Sequence, residues 1–192
     1  MLTLLAGLVL FFVPHSVSII APKWRDRIVL HMGEPLWKSL YSLLSVAGAL
    51  FIVIGFMQAR RSPLMLYASP AWLHYVSFAL MLPVFPLLLA TYLPGRIQAT
   101  VHNPMLSAVA LWATAHLLVN GTLAAVLLFG AFLLWALIDR LSLRSRVTAP
   151  VRRLPPSRYN DLLAVVIGLA LYAGFIARLH QLLIGVPLIG AL

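Results

Sequence analysis

Six long, predominantly apolar runs occupy most of this chain: residues 2–21, 36–59, 70–93, 104–120, 122–138 and 161 to about 186. A helix rises 1.5 Å per residue, so runs of this length approach or exceed the ~30 Å hydrocarbon thickness of a bilayer. Inside hydrocarbon the backbone must bond to itself, which leaves helices or closed barrels. A barrel strand alternates apolar and polar side chains, whereas these runs are apolar all round. The expected fold is all-α, an integral membrane bundle of six transmembrane helices forming one domain over residues 1–192. Composition agrees: 62% of residues are hydrophobic and 9% charged, against about a quarter charged in a soluble domain. So little polar surface cannot coat a water-soluble globule, which excludes a soluble enzyme.

The connections carry recognisable signals. Residues 22–37 read as an amphipathic connector lying in the membrane interface. Lys23, Arg25 and Arg27 turn to water, Ile28, Val29 and Leu30 to lipid, and Gly33, Glu34 and Pro35 end it. Pro14 should kink the first helix and Pro83 with Pro86 the third. Asn103 is a natural N-cap and Pro104 a natural first helical residue. Asn120 and Gly121 form a turn that makes the fourth and fifth helices an antiparallel hairpin. The fifth ends at Asp139 and Arg140, a linker rich in Arg and Pro covers 141–158, and Asn160 or Asp161 caps the sixth. No basic start precedes the first run and no small-residue cleavage site follows it, so it reads as a retained membrane helix.

Lys and Arg number 14 against four acids. In a soluble protein this balance would suggest nucleic acid. Here the cations sit between apolar runs, so the expected partner is the lipid bilayer, with no nucleic acid. With the N-terminus outside, the inner side receives Lys23, Arg25, Arg27, Lys38, Arg96, Arg140, Arg144, Arg146, Arg152, Arg153 and Arg158. The outer side receives Arg60, Arg61 and Arg178. That asymmetry predicts a multi-pass protein with both termini outside the cytoplasm.

Cysteine is absent, which excludes thiolate ligands, iron–sulfur clusters and thiol chemistry. There is no phosphate-binding loop and no serine-nucleophile elbow. Polar residues within spans are costly and invite a functional hypothesis. His15 shares a helix face with Leu8, Phe11, Phe12, Ser18 and Ile19, close to the Leu10 carbonyl that Pro14 frees. His116 shares its face with Val109, Trp112, Ala113 and Asn120, among small neighbours. His74 lies near Trp72 and Tyr75, with Ser77, Phe78 and Met81 on its face, and His102 precedes the fourth helix. His31 and His180 read as interfacial. Each deep histidine either bonds a neighbouring helix or ligates a cofactor. Neutral imidazoles in a helical bundle without deep carboxylates suit haem iron. Without a CxxCH motif that haem would be non-covalent, haem b. Arg60 and Arg61, or Arg96 and Arg140, could meet its propionates. Depth alone pairs His74 with His116, each roughly 6 Å from the outer end of its helix, while His15 lies roughly 20 Å in.

The blocks "FFVPHS" through "APKWR", "GEPLWKSLYSLLS", "LMLP" with "YLPGRI", "NPM", and "LWATAHLLVNGTLA" through "LIDR" resemble the NnrU family. The resemblance implies a bacterial inner-membrane accessory protein of denitrification, needed for expression of nitrite and nitric oxide reductases. The family is similar to the 15-cis-zeta-carotene isomerase, a membrane haem b protein whose two haem-serving histidines match His15 and His116. This implies that His15 and His116 are the axial metal ligands, with His74 in reserve. The relative's ligating cysteine position is Ala113 here, and its His-Pro pair matches Asn103-Pro104, with His102 displaced by one. Redox-linked or isomerase-like chemistry on a small apolar substrate, or contact with nitrogen-oxide reductase components, would follow. Two alternatives stand beside this. One is a haem-free membrane scaffold assisting reductase assembly. The other is an S-adenosylmethionine-dependent membrane methyltransferase, because residues 103–120 also resemble the isoprenylcysteine methyltransferase type; the acidic pair and Tyr-rich element of those enzymes are missing from 139–158.

Overall fold

The computed structural model describes residues 1–146 and 153–188; Arg152, counted above among the inner-side cations, lies outside them. The described residues fold into α1 (Leu2–Ile20), α2 (Pro22–Met32), α3 (Glu34–Ala59), α4 (Trp72–Met81), α5 (Val84–Ala90), α6 (Arg96–Val101), α7 (Pro104–Val119), α8 (Leu123–Ser142), α9 (Asn160–Gly174), a π-helical turn (Phe175–Leu179) and α10 (His180–Ile184). Among them no strand forms, only an isolated bridge between Met65 and Thr122. Among the described residues five helical stretches are long and apolar enough to cross a membrane: Leu2–Ile20, Glu34–Ala59, Trp72–Ala90, Leu123–Ser142 and Asn160–Ile184. The remaining expected span, the fourth at residues 104–120, forms the apolar helix Pro104–Val119 of only 16 residues, about 24 Å at the helical rise. The chain is an all-helical membrane protein.

The chain forms two compact units. One comprises Met1–Tyr67 and Thr122–Ala131, the other Ala68–Gly121 and the chain from Phe132 on. In the first unit, α1 and α3 run antiparallel along a seam of glycines. Gly55 lies against Leu4, Gly7 against Ile52 and Gly48 against Phe11. A Cβ at Gly55, Gly7 or Gly48 would stand 2.3, 2.5 or 2.6 Å from a backbone nitrogen of the opposite helix. Lipid tails are as apolar as leucine, so close backbone approach and dispersion, rather than burial from water, hold such helices together. The other face of α3 exposes Leu43, Val46, Leu50, Val53 and Met57. In water each would forgo about 1.5–3 kcal/mol of burial; against acyl chains it loses nothing.

α1 continues through Pro14. The connector is helical as α2, but it stops at Gly33, whose φ of 85° suits a residue without Cβ. Glu34 and Pro35 belong to the first turn of α3 rather than to the connector. Pro35 is tolerated there because its missing N–H would have no helical partner, and Glu34 pairs with Lys38 at 2.7 Å.

In the second unit the third apolar run is broken at Pro83, with Leu82 and Pro83 forming a turn between α4 and α5. Val84 and Leu87 of α5 pack with Ala108 of α7. Pro86 rests on Gly168 of α9, where a Cβ would lie 2.5 Å from the proline nitrogen. The Trp112 and Phe132 rings meet edge to face at 5.4 Å, and Arg140 donates to Ser107 Oγ at 2.7 Å. These two contacts set α7 antiparallel to the second half of α8. α8 does not stop at Asp139 and Arg140 but runs on to Ser142. Asp139 is buried there and ion-paired with Arg146.

The expected caps are used differently. Asn103 occupies the N-cap of α7 but makes no side-chain cap bond; its carbonyl accepts from the Ser107 N–H. Asn160 and Asp161 do not cap α9, whose N-cap is Tyr159. The Asp161 carboxylate accepts from the N–H groups of Arg96 and Ile97 at 2.8 and 3.1 Å, capping α6. Asn160 donates to the carbonyls of Pro94 and Pro155.

Candidate histidine site

His15 belongs to the first unit and His74 and His116 to the second. His15 is half-buried on α1, one residue after Pro14. Its Nδ1 lies 2.6 Å from the Phe11 carbonyl, four residues back in the same helix. The bond is therefore not to the Leu10 carbonyl that Pro14 frees. The imidazole stacks on the Phe11 ring at 4.2 Å and meets Tyr41 of α3 at 5.0 Å. Tyr41 was not singled out from sequence; the spacing of Gly48 and Gly55, which fixes the α1–α3 register, is the signal that could have found it.

His116 is half-buried near the end of α7 and repeats the arrangement. Its Nδ1 lies 2.8 Å from the Trp112 carbonyl, four residues back, and its ring sits 5.3 Å from the Trp112 indole. The Asn120 side chain and backbone N–H both donate to the His116 carbonyl at 2.9 Å, closing the helix. Ala108, Ala113 and Ala115 are fully buried, so α7 is closely packed along this stretch.

A carbonyl can only accept, so in each of these bonds Nδ1 carries the proton and Nε2 is the basic nitrogen of the neutral ring. Metal-bound imidazoles are commonly oriented by such a bond. His74 also bonds through Nδ1, to Ala71 at 3.1 Å in the first turn of α4. His102 and His180 do so outside a regular helical turn, to Thr100 and Val186. What sets His15 and His116 apart is the combination of a bond one full turn back with an aromatic ring from that same turn.

Two serines are tied to α7: Ser69 Oγ, in the segment before α4, donates to the Leu118 carbonyl at 2.7 Å, and Ser77 Oγ of α4 to the Ala115 carbonyl at 2.9 Å. His74 lies between these two serines, so the packing brings it level with the His116 end of α7. Neither serine bond was anticipated.

The candidate propionate partners lie at helix ends. Arg60 is the C-cap of α3 and Arg61 follows it, both exposed. Arg96 opens α6, exposed, with its backbone N–H held by Asp161. Among the described residues no group of three or more His, Cys, Asp or Glu side chains could hold a metal ion. The isolated imidazoles are donors of the kind that a haem iron would take.

No curated protein and no solved structure matches the chain. The family model of the NnrU protein matches residues 3–188, nearly its whole length. Extending the block-by-block resemblance into the last third of the sequence, that match places the chain in the NnrU protein family.

Proposed function

We propose that this protein is a bacterial inner-membrane haem b protein, an accessory or redox-linked factor in nitrite and nitric oxide metabolism, with His15 and His116 as the candidate axial ligands. The observation that carries the reading is their repeated local arrangement: a helical histidine in an apolar span, its Nδ1 proton given to the carbonyl one turn back, its ring set against an aromatic of that turn. The arrangement fixes the tautomer of the neutral ring, so that Nε2 is the nitrogen that would bind iron. Trp112 and Asn120 hold the His116 ring and helix end. Arg60 and Arg61 on the outer side, or Arg96 and Arg140 on the inner, would supply positive charge for the haem carboxylates. Bound haem would supply one-electron transfer and ligand binding at iron. A small apolar substrate or components of nitrogen-oxide reductases are the partners that fit the reading. The cation asymmetry supports both termini facing the periplasm.

The test is an anaerobic optical spectrum of the purified protein, oxidised and then reduced. Sharp reduced α and β bands are expected. His15→Ala and His116→Ala should each abolish or convert the six-coordinate spectrum, and His74→Ala should leave it largely intact. A colourless protein, expressed with sufficient haem, would support the haem-free scaffold instead. Loss of the spectrum in His74→Ala but not in His15→Ala would replace His15 by His74.

A further inference from the structure

The chain breaks at Ala21 (φ −137°, ψ 58°), where α1 gives way to α2. Inside this elbow lies an open groove of about 590 Å³, lined by Leu8, Phe12, Val13, Ile20 and Trp24, with Ser16 supplying its hydroxyl. From Leu8 to Ile20 the groove follows twelve residues of helix, about 18 Å. One leaflet of hydrocarbon is about 15 Å deep, so the groove has the length and polarity of a lipid acyl chain.

What stands at its mouth is cationic. Lys23 adjoins Trp24 in sequence, and Arg27 lies one turn along α2 on the same side. Arg25 is neutralised by Asp26 at 2.6 Å and Lys38 by Glu34 at 2.7 Å. Among the described residues, Lys23 and Arg27 form no ion pair. The apolar line Trp24, Ile28 and Met32 runs beside the basic line Lys23, Arg27 and His31, at i, i+4, i+8 spacing.

We propose that the α1–α2 elbow is a binding site for an anionic phospholipid, with one acyl chain in the groove along α1 and the headgroup phosphate between Lys23 and Arg27. Charge complementarity argues for this occupant over a second protein copy, whose matching groove would bring the same two cations to the interface. None of the deep histidines takes part, so the site stands or falls independently of haem.

The test is native mass spectrometry of the full-length protein equilibrated with phosphatidylglycerol and phosphatidylcholine of identical acyl chains. Retention of phosphatidylglycerol over phosphatidylcholine is expected. A cation near the membrane surface is worth about five-fold in binding, so Lys23→Gln/Arg27→Gln should lower that preference by about 25-fold. Arg144→Gln/Arg153→Gln removes the same charge elsewhere and should leave it unchanged. Val13→Trp fills the groove and should lower retention of both lipids with the helical circular dichroism intact; if that variant does not fold, the two charge variants alone decide. Equal retention of the two lipids overturns the site. So does an unchanged preference in Lys23→Gln/Arg27→Gln, or an equal loss in the control. A dimer abolished by Val13→Trp would assign the groove to a second copy and overturn it as well.

Discussion

At the scale of single residues, Asp161 shows how a polar side chain can be readable as a cap and still be assigned to the wrong helix. It opens α9, yet its carboxylate accepts the first N–H groups of α6. Gly95 makes room for it: a Cβ there would lie 2.3 Å from Oδ1. Asp161→Ala should cost about 1.5–3 kcal/mol, the range for hydrogen bonds to a charged group, read as a lower thermal midpoint of the purified protein. Gly95→Ala should disrupt the same contact, so the double variant Gly95→Ala/Asp161→Ala should be much less destabilised than the sum of the singles. An additive double variant would show that the two positions act separately.

Among the helices, the α1–α3 seam depends on backbone approach. Gly55→Val should destabilise by about 1–3 kcal/mol or more, because its Cβ meets the α1 backbone rather than a side chain that can turn away. The register can be read directly, since the chain has no native cysteine. Thr3 and Gln58 are hydrogen-bonded across the pair. Thr3→Cys/Gln58→Cys should cross-link on oxidation, whereas Thr3→Cys/Leu44→Cys, about 21 Å displaced along α3, should not. A cross-link in the second variant would refute the antiparallel register. In the other unit, Ser77→Ala should weaken the α4–α7 contact by about 0.6–2 kcal/mol, measured in the same unfolding assay.

For the molecule as a whole, the decisive quantity is the distribution of cations. With the N-terminus outside, eleven would fall on one side and three on the other; a phosphatase fused to the C-terminus should then be active and a fluorescent protein fused there dark. The reverse pattern would invert the topology. At residues 139–146, Asp139 and Arg146 hold each other in a largely buried pair. Removing the carboxylate in Asp139→Ala leaves a buried guanidinium uncompensated and should cost about 3–5 kcal/mol, again read as the unfolding midpoint.

The sequence by itself determined the solvent, the helical class and the approximate limits of the spans, because run length and uniform apolarity are one-dimensional properties that a bilayer reads directly. It also marked His15, His74 and His116, through the cost of placing imidazole within a span; the choice of His15 with His116 came from the family resemblance. Ends and partners were another matter. The termination of α8 beyond Asp139, the start of α3 at Glu34, and the use of Asn160 and Asp161 by residues 94–97 depend on which polar groups meet across the chain. Glycine in the sequence marks a close approach without saying to what; only the packed helices pair Gly48 with Phe11 and thereby set Tyr41 against His15. Lipid imposes length and polarity on each helix separately, whereas register is chosen by short-range contact between helices, and that choice exists only in the tertiary structure.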